Sequence, residues 1–195
     1  MISIITPTFN AREYIYRLHD SLSRQSDKDF EWIIVDDCSN DETLDILSQL
    51  TPPGQGGIVV YKMPFNSGGG IAGSVGVIKS SGVITTIIDQ DDELVPEAIF
   101  TIKNYFNKVF KKKEVAAVLF PSLQPESGKQ ISSLTTGELF KISYFVYKEK
   151  VAVDGVVAMK GDLARYYYSF SDCSRTLLSS VIWLKVSKKF FFEYA

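Results

Sequence analysis

The chain has 195 residues, a formal net charge of −2 and 45% hydrophobic residues, which is the composition of a globular protein with a sizeable core. Two cysteines and one histidine are too few for a disulfide framework or for a zinc site built from those residues. No apolar run approaches the roughly 20 residues that a membrane-spanning helix needs, and residues 1–6 lack the basic start of a signal peptide. We therefore expect a protein of a reducing, cytoplasmic compartment.

The charge is distributed unevenly along the chain. Residues 1–100 contain 6 Lys or Arg against 15 Asp or Glu, whereas residues 101–195 contain 15 against 8. The difference is either a chance property of the surface, or a sign that the first half holds a cation and the second half meets anions, a partner or a membrane face. Nucleic acid is not an expected partner, because the basic half contains no recognisable binding motif.

The first hundred residues alternate short apolar runs with helical patterns, which predicts βαβ units and a mostly parallel sheet. Ser39 and Glu42 have the spacing of a helix capping box, and Pro96 is placed as a first-turn proline. His19 falls in the first helix and is interpreted as structural. A buried strand is predicted at 2–6 and further strands at 32–35, 58–61 and 83–88. Helices are predicted at 12–24, from Ser39, after the loop at 68–70 and from Pro96.

The pattern is weaker after about residue 110. A single domain over residues 1–195 is expected, because the sequence shows no repeat, low-complexity tract or linker. Strands are predicted at 115–120 and 156–159, edge strands or loops at 129–134 and 139–146, and a terminal helix at 174–191.

Polar clusters follow three of the predicted strands, each at the point where the strand ends. They are residues 7–10, the pair Asp36 and Asp37, and residues 89–92. In an open parallel sheet the ligand lies outside the carboxyl ends of the strands. The three clusters are therefore expected to form one site.

The acidic loop, residues 89–92, is the strongest chemical signal in the sequence. Asp89, Asp91 and Asp92 place three carboxylates within four residues, and like charges this close raise one another's pKa unless a cation neutralises them. Carboxylate oxygens favour Mg²⁺ or Mn²⁺, which commonly bind one or two carboxylates together with substrate phosphates. The alternative is a solvated loop in which Asp92 or Glu93 caps the next helix.

Two further features indicate a binding site for a nucleotide or a sugar. Asp36 and Asp37 are candidate hydrogen-bond acceptors for a nucleobase or a ribose hydroxyl, or else caps of the helix near Asn40. The glycine-rich segment, residues 66–76, contains five glycines. Its backbone could approach a phosphate or sugar closely, and a following helix N-terminus favours anions. The alternative is a plain flexible turn.

The order and spacing of these stretches make the chain resemble the family-2 inverting glycosyltransferases, which have the glycosyltransferase A-type fold. The stretches that match are 3–10, 32–43, 66–70 and 87–98, so the resemblance covers about residues 1–105. It implies a Rossmann-like, three-layer α/β/α sandwich with a mostly parallel central sheet. Residues 1–105 are expected to bind the nucleotide-sugar and residues 106–195 to form the acceptor side, with a truncated C-terminus left open.

The resemblance also implies which residues would hold the base of the donor. Pro7, Thr8 and Phe9 would border the nucleobase, partly through backbone groups. Asp37 would accept a hydrogen bond from the uracil of a UDP-sugar, with Asp36 as its structural neighbour.

On the phosphate and sugar side, the resemblance implies roles for the acidic loop and for the glycine-rich segment. Asp91 would contact the ribose or the sugar, and Asp92 would ligate the Mn²⁺ or Mg²⁺ that bridges the phosphates, with Asp89 supporting the loop. The glycine-rich segment would contribute donor contacts at Asn66, Gly68 and Gly69.

The sequence departs from the family pattern at two places. Relatives often show Ala-Arg-Asn where this chain has Ala72, Gly73 and Ser74. An inverting transfer also needs a general base. Asp172 is the only carboxylate in residues 171–180, where the family keeps its base, and Asp154 is the second candidate.

These observations predict a metal-dependent inverting glycosyltransferase, of the hexosyl- or N-acetylhexosaminyl-transferring kind. It would move a sugar from a UDP-sugar to a glycan or lipid-linked acceptor in surface polysaccharide synthesis. The alternative is a non-catalytic sugar-nucleotide-binding module. A nucleotidyltransferase is disfavoured, because residues 6–13 contain one Arg and no Gly.

A peripheral membrane contact is a further hypothesis for the basic second half. Its basis is the lysine run 111–113 together with Lys185, Lys188 and Lys189 beside the aromatic residues 190–192. The alternative is an ordinary solvated helix surface.

Overall fold

The computed structural model describes residues 1–122, 139–140, 155–169 and 178–194, which form one mixed sheet with helices on both faces. The strands of this described part are β1 Ile2–Thr8, β2 Phe30–Asp36, β3 Ile58–Lys62, β4 Ile84–Ile87, β5 Val115–Pro121, β6 Leu139–Phe140, β7 Gly155–Lys160 and β8 Phe191–Tyr194. Its helices are α1 Ile15–Ser23, α2 Thr43–Leu47, α3 Gly69–Lys79, α4 Ala98–Val109, α5 Gly161–Ser169 and α6 Leu178–Ser187. Within these segments, no helix combines the length and the hydropathy needed to cross a bilayer.

The strands lie in the order β3-β2-β1-β4-β7-β5-β8-β6. The first four are parallel, and β1 pairs with both β2 and β4, so that Ile2 lies beside Phe30 on one side and Ile84 on the other. Strand β7 runs antiparallel to β4 and to β5, and β8 is parallel to β5. The first half of the chain therefore forms a parallel βαβ sheet, and every antiparallel pair includes at least one strand from the second half.

Two apolar clusters cover the opposite faces of the sheet. Alternate residues of each central strand point to opposite faces, so Ile4 and Trp32 pack with α1 and α4, whereas Ile5 and Ile33 pack with α3, α5 and α6. Both faces of β1 and β2 are buried, which explains why these strands are continuous apolar runs in the sequence. The predicted three-layer α/β/α sandwich is confirmed.

Helix α1 packs through the apolar stripe that its spacing predicts. Ile15, Leu18 and Leu22 are buried. The His19 ring stacks on Trp32 with 6.0 Å between centroids, and His19 Nε2 donates to the Thr51 carbonyl at 2.8 Å. His19 therefore has structural contacts, as the sequence suggested.

The predicted helix start at Ser39 is wrong. Helix α2 begins only at Thr43, and its first-turn N–H is accepted by Asp41 Oδ1 at 3.0 Å. Ser39 Oγ instead accepts the Asn10 N–H at 2.9 Å, because the loop after β1 lies beside it. Pro96 is likewise outside the helix, since α4 begins at Ala98.

The predicted terminal helix is too long at its C-terminal end. Helix α6 ends at Ser187, and Phe191–Tyr194 form β8. Phe192 and Tyr194 are buried in the α3, α5 and α6 face, while Glu193 is 4% exposed, with both carboxylate oxygens 2.8 Å from Lys112 Nζ. Pairing with β5 decides this strand, and no local sequence pattern carries that information.

This correction also changes the surface proposed for a membrane contact. Phe192 lies inside the sheet and Phe190 packs against its apolar cluster, so of the three aromatic residues only Phe191 is markedly exposed, at 37%. The predicted segment 129–134 and the candidate bases Asp154 and Asp172 lie outside the described residues.

A buried carboxylate ties the sheet together at the edge opposite the three clusters. Glu31 Oε1 accepts hydrogen bonds from Ser3 Oγ at 2.5 Å, from the Ser81 N–H at 2.8 Å and from Ser81 Oγ at 2.9 Å. Burial by itself raises the pKa of Glu31, but the hydrogen bonds from Ser3 and Ser81 outweigh it and leave the pKa lowered. The ionised form is therefore stabilised by folding.

We expect Glu31→Gln to lower the free energy of unfolding by about 1–3 kcal/mol near neutral pH, because charge-assisted hydrogen bonds to a buried group are lost. A lowered folded-state pKa contributes stability above the unfolded value of about 4.3, and that stability is lost as the pH falls through the folded value. Urea unfolding at several pH values checks both effects. The exposed Glu13→Gln is the control, and parallel pH profiles for wild type and Glu31→Gln would contradict the prediction.

Candidate functional site

The three polar clusters meet at the carboxyl edge of β1, β2 and β4. The Asp37 N–H donates to the Thr8 carbonyl at 2.7 Å, which holds the end of β2 against the end of β1. On the other side, the Ile88 N–H donates to the Ile5 carbonyl at 2.9 Å and brings the acidic loop beside β1. The structure thus places residues 7–10, Asp36–Asp37 and residues 89–92 around one edge.

A side chain of the acidic loop holds the loop that follows β1, residues 9–10, which we call the Phe9 loop. Gln90 Oε1 accepts the Phe9 N–H at 2.9 Å, and Gln90 Nε2 donates to the Phe9 carbonyl at 3.3 Å. The Gln90 side-chain amide thus satisfies both the N–H and the carbonyl of Phe9, while the Phe9 residue remains 40% exposed. No pattern in the sequence indicated this role for Gln90.

The opposite side of the Phe9 loop is fastened to the loop after β2. Asn10 has a positive φ of 51°, and its Oδ1 accepts the Asn40 N–H at 3.0 Å while its own N–H donates to Ser39 Oγ. Cys38 also has a positive φ, of 65°. Left-handed backbone is uncommon outside glycine, and at Asn10 the neighbouring loop supplies the hydrogen bonds that hold it.

Asp37 organises the glycine-rich segment. Its Oδ1 accepts the Ser67 N–H at 2.7 Å and its Oδ2 accepts the Gly68 N–H at 2.6 Å, directly before α3 begins at Gly69. The carboxylate thus satisfies two amides at the N-terminal end of a helix, where negative charge is favoured. Asp37 is 1% exposed. The contact between Asp37 and uracil stays a prediction. Both Asp37 oxygens already accept hydrogen bonds from the glycine-rich segment, so uracil would donate to a second lone pair on one of them.

The remaining residues predicted on the donor side differ in accessibility. Asp36 is buried and its Oδ2 accepts the Ser39 N–H at 3.1 Å, which fits a structural neighbour. Thr8 is also buried, with its carbonyl taken by Asp37, whereas Pro7 is partly exposed. Gly69 is exposed, and a Cβ there would meet no atom within 4 Å. Asn66 is half-buried at the start of the glycine-rich segment.

The acidic loop is a turn closed by the Asp92 N–H, which donates to the Asp89 carbonyl at 3.2 Å. The side chains of Asp89, Asp91 and Asp92 all reach solvent. Desolvation on its protein-facing side raises the pKa of Asp89, and the Asp91 carboxylate raises it further. The loop thus concentrates negative charge at an accessible point.

Arg17 of α1 braces this loop from outside. Its Nε lies 3.0 Å from Glu93 Oε1, and its guanidinium also donates to the Asp91 carbonyl. No three His, Cys, Asp or Glu side chains surround one point in the described part of the chain. The exposed carboxylates of the acidic loop are oxygen ligands of the kind that Mg²⁺ and Mn²⁺ take from proteins, commonly one or two at a time.

A cleft of about 350 Å³ opens beside the acidic loop, between β4, β7 and the helices α5 and α6. Asp89 and Asp92 lie in its wall, opposite polar and aromatic groups from Ser122, Tyr168 and Trp183. Ser122 and Tyr168 were not predicted as site residues, because the pattern of strands and helices is weaker in their half of the sequence. The cleft therefore lies directly beside two of the predicted metal ligands.

The family to which the chain belongs is shown by a match to a protein-family model. Residues 3–130 match the family model described as glycosyl transferase family 2. The match includes the Phe9 loop, the glycine-rich segment and the acidic loop. The chain belongs to glycosyl transferase family 2. Asp154 and Asp172 fall outside the matched residues.

Curated relatives agree with this assignment. The chain is 40% identical over 93 residues to TuaG of Bacillus subtilis, named for teichuronic acid biosynthesis, an alignment that covers 48% of this chain and 36% of TuaG. It is 34% identical over 100 residues to the poly(ribitol-phosphate) β-N-acetylglucosaminyltransferase TarS of Staphylococcus aureus, covering 50% of this chain and 17% of TarS. The chain therefore spans well under two thirds of these relatives.

Solved structures show the same fold. The crystal structure of S. aureus TarS 1–349 superposes with a TM-score of 0.77 at 19% identity, covering 100% of this chain and 57% of that one. TarS has also been crystallised with UDP-GlcNAc. The mannosyltransferase PcManGT of Pyrobaculum calidifontis, in complex with GDP-Man and Mn²⁺, gives a TM-score of 0.59 at 19% identity over 85% of this chain and 46% of its own. The predicted glycosyltransferase A-type fold is thereby confirmed.

Proposed function

We propose that this chain is a metal-dependent inverting glycosyltransferase, which moves a sugar from a UDP-sugar to a glycan or lipid-linked acceptor in surface polysaccharide synthesis. The proposal rests on one observation: at the carboxyl edge of the sheet, Gln90 joins the Phe9 loop to the acidic loop, and the cleft opens beside them. The names of TuaG and TarS support a role in cell-surface polymers and a hexosyl or N-acetylhexosaminyl group.

The donor base would lie against the Phe9 loop. Phe9 offers an exposed ring, Pro7 a partly exposed one, and Thr8 contributes backbone. Asp37 fixes the glycine-rich segment, which approaches the donor at Asn66, Gly68 and Gly69. The UDP complex of TarS supports uridine as the nucleoside.

The diphosphate would lie at the acidic loop with Mn²⁺ or Mg²⁺. Asp92 and Asp91 are the proposed ligands, Asp91 also facing the ribose or sugar, and Asp89 supports the loop. Burial on one side and the neighbouring Asp91 carboxylate both raise the pKa of Asp89, and a bound cation would oppose that rise. When bound, the cation would offset the charge on the departing diphosphate.

The transfer itself requires a base in the acceptor half. Asp172, or else Asp154, would take the proton of the acceptor hydroxyl, whose oxygen attacks the anomeric carbon from the face opposite the diphosphate. The bond from that carbon to the phosphate oxygen breaks as the new bond forms. UDP leaves with the bonding electrons, and the configuration of the sugar inverts.

Binding calorimetry with UDP, ADP and GDP tests the donor and the metal. We expect UDP to bind most tightly with Mn²⁺ present and more weakly in EDTA. Asp92→Asn should lower UDP affinity in Mn²⁺ by tenfold or more, about 1.4 kcal/mol, because a cation ligand is removed. The matched control is Asp162→Asn, an exposed aspartate at the start of α5. Equal affinity for the three nucleotides, or binding indifferent to both metal and Asp92, would contradict this assignment.

Release of UDP from UDP-GlcNAc and UDP-glucose, with water as acceptor, separates an enzyme from a non-catalytic binding module. We expect Asp172→Asn to lower kcat by about 10²–10⁴ while UDP affinity stays unchanged, because a general base acts only in the chemical step. Asp154→Asn should have the smaller effect. A wild-type protein that binds UDP with metal but never releases it from either donor would favour the binding module.

We also propose that the chain is one domain over residues 1–195 that acts at the cytoplasmic face of a membrane. The Phe191 N–H donates to the Glu114 carbonyl at 2.7 Å, which brings the lysine turns at 111–113 and 188–189 together beside the exposed rings of Phe110 and Phe191. Strands β4 and β5 both run antiparallel to β7, so this basic surface lies at the edge opposite the acidic loop.

Co-sedimentation with vesicles tests the membrane contact. We expect binding to anionic vesicles at low salt and none to neutral vesicles. Replacing Lys188 and Lys189 by Glu should weaken binding by tenfold or more, since each lysine near an anionic surface contributes about 1 kcal/mol. The exposed Lys79→Glu, on α3, is the control. Equal sedimentation of wild type and the double variant would contradict the contact.

A further inference from the structure

The side-chain amide of Gln90 joins the acidic loop to the Phe9 loop, and on the Phe9 side it contacts main-chain atoms. This amide pairs with both the N–H and the carbonyl of Phe9, at 2.9 and 3.3 Å, as a neighbouring strand would. The contact lies beyond the paired part of β1 and β4, four residues after Ile5 and three residues after Ile87. It fastens the backbone of Phe9 to the acidic loop without involving the Phe9 ring.

The two loops joined by this contact are proposed to bind different parts of the donor: the Phe9 loop binds the base, and the acidic loop binds the cation and the diphosphate. Gln90 stands between Asp89 and Asp91 in the turn closed by the Asp92 N–H, so a shift of the turn displaces its amide. On the other side, the Phe9 loop continues into Asn10, which is fastened to Ser39 and Asn40. The Gln90 side chain thus links the acidic loop, which carries the carboxylates, to the Phe9 loop.

We propose that Gln90 is a positioning residue that couples the two ends of the donor site, so that occupancy of the acidic loop strengthens nucleobase binding and the reverse. The inference rests on the proposed function, because it takes the base to lie at the Phe9 loop and the cation and diphosphate to lie at the acidic loop. Ordering a loop has an entropic cost. Whichever ligand binds first orders both loops through Gln90, so the second ligand binds to a site already ordered.

Such coupling is reciprocal and can be measured as a ratio of affinities. The ratio of UDP affinity in Mn²⁺ to UDP affinity in EDTA is the quantity to compare. Gln90→Met keeps the length of the side chain and removes both hydrogen bonds. We expect it to reduce this ratio by about five- to thirtyfold, the value of one to two ordinary hydrogen bonds.

Two control variants separate coupling from a general loosening of the site. Ser39→Ala removes one of the two hydrogen bonds that fasten the Phe9 loop to the loop after β2, and we expect it to lower UDP affinity by the same factor in Mn²⁺ and in EDTA. Gln49→Met removes an exposed glutamine whose Nε2 donates to the Asp45 carbonyl, and we expect no change. A purely structural role for Gln90 would lower the unfolding temperature and leave the ratio intact.

Hydrogen exchange gives a readout that needs neither the base nor turnover. Mn²⁺ with inorganic pyrophosphate occupies only the acidic-loop end of the site. In wild type we expect it to slow amide exchange in the peptide that contains Phe9 as well as in the acidic loop. In Gln90→Met only the acidic loop should be slowed. The wild-type measurement stands even where a variant folds poorly.

The outcomes distinguish this inference from the function on which it rests. Metal-dependent UDP binding with an unchanged affinity ratio in Gln90→Met, or no slowing at Phe9 in wild type when the acidic loop is slowed, overturns the coupling and leaves the proposed function in place. Failure of wild type to bind any of the nucleotides overturns the proposed function and the coupling together.

Discussion

Strand β1 lies between β2 and β4 and runs parallel to both, and the geometry of the whole edge depends on this arrangement. All three strands end at the same edge, so the chain segments that leave them are adjacent. Gln90 reaches Phe9 because β4 is one neighbour of β1, and Ser39 reaches Asn10 because β2 is the other.

The carboxylates at this edge fall into two physical classes. Asp36 and Asp37 are buried and accept hydrogen bonds from backbone amides of the loops that follow the strands. Asp89, Asp91 and Asp92 face solvent, and the pKa of Asp89 is raised by burial on one side and by Asp91. The first pair shapes the site, and the second group carries the charge that a cation would neutralise.

The strands β1 to β4 and the edge shared by β1, β2 and β4 were predictable, because short, mainly apolar runs predict strands and polar clusters follow three of them. Strand β8 was not, since the buried Glu193 is held by Lys112, 81 residues away in the chain, and by the Tyr105 hydroxyl. The bonds of Asp37 to backbone amides, and of Gln90 to Phe9, were also beyond prediction. A backbone amide leaves no trace in a sequence, and a glutamine in an acidic loop resembles a solvated spacer.

Gly73 shows how closely the cleft and the end of β1 approach each other. A Cβ at Gly73 would lie 3.5 Å from Ile87 Cδ1, in the wall of the cleft, and 4.0 Å from Pro7 Cγ. Any longer side chain there would start between the cleft and the residues that lead into the Phe9 loop. Among the described residues, Arg17 donates to the Asp91 carbonyl of the acidic loop and pairs with Glu93, and the α3 N-terminus is occupied by the Asp37 carboxylate. If the proposed function holds, a cation at the exposed carboxylates would offset the charge of a bound diphosphate, and the metal dependence of UDP binding measures that contribution.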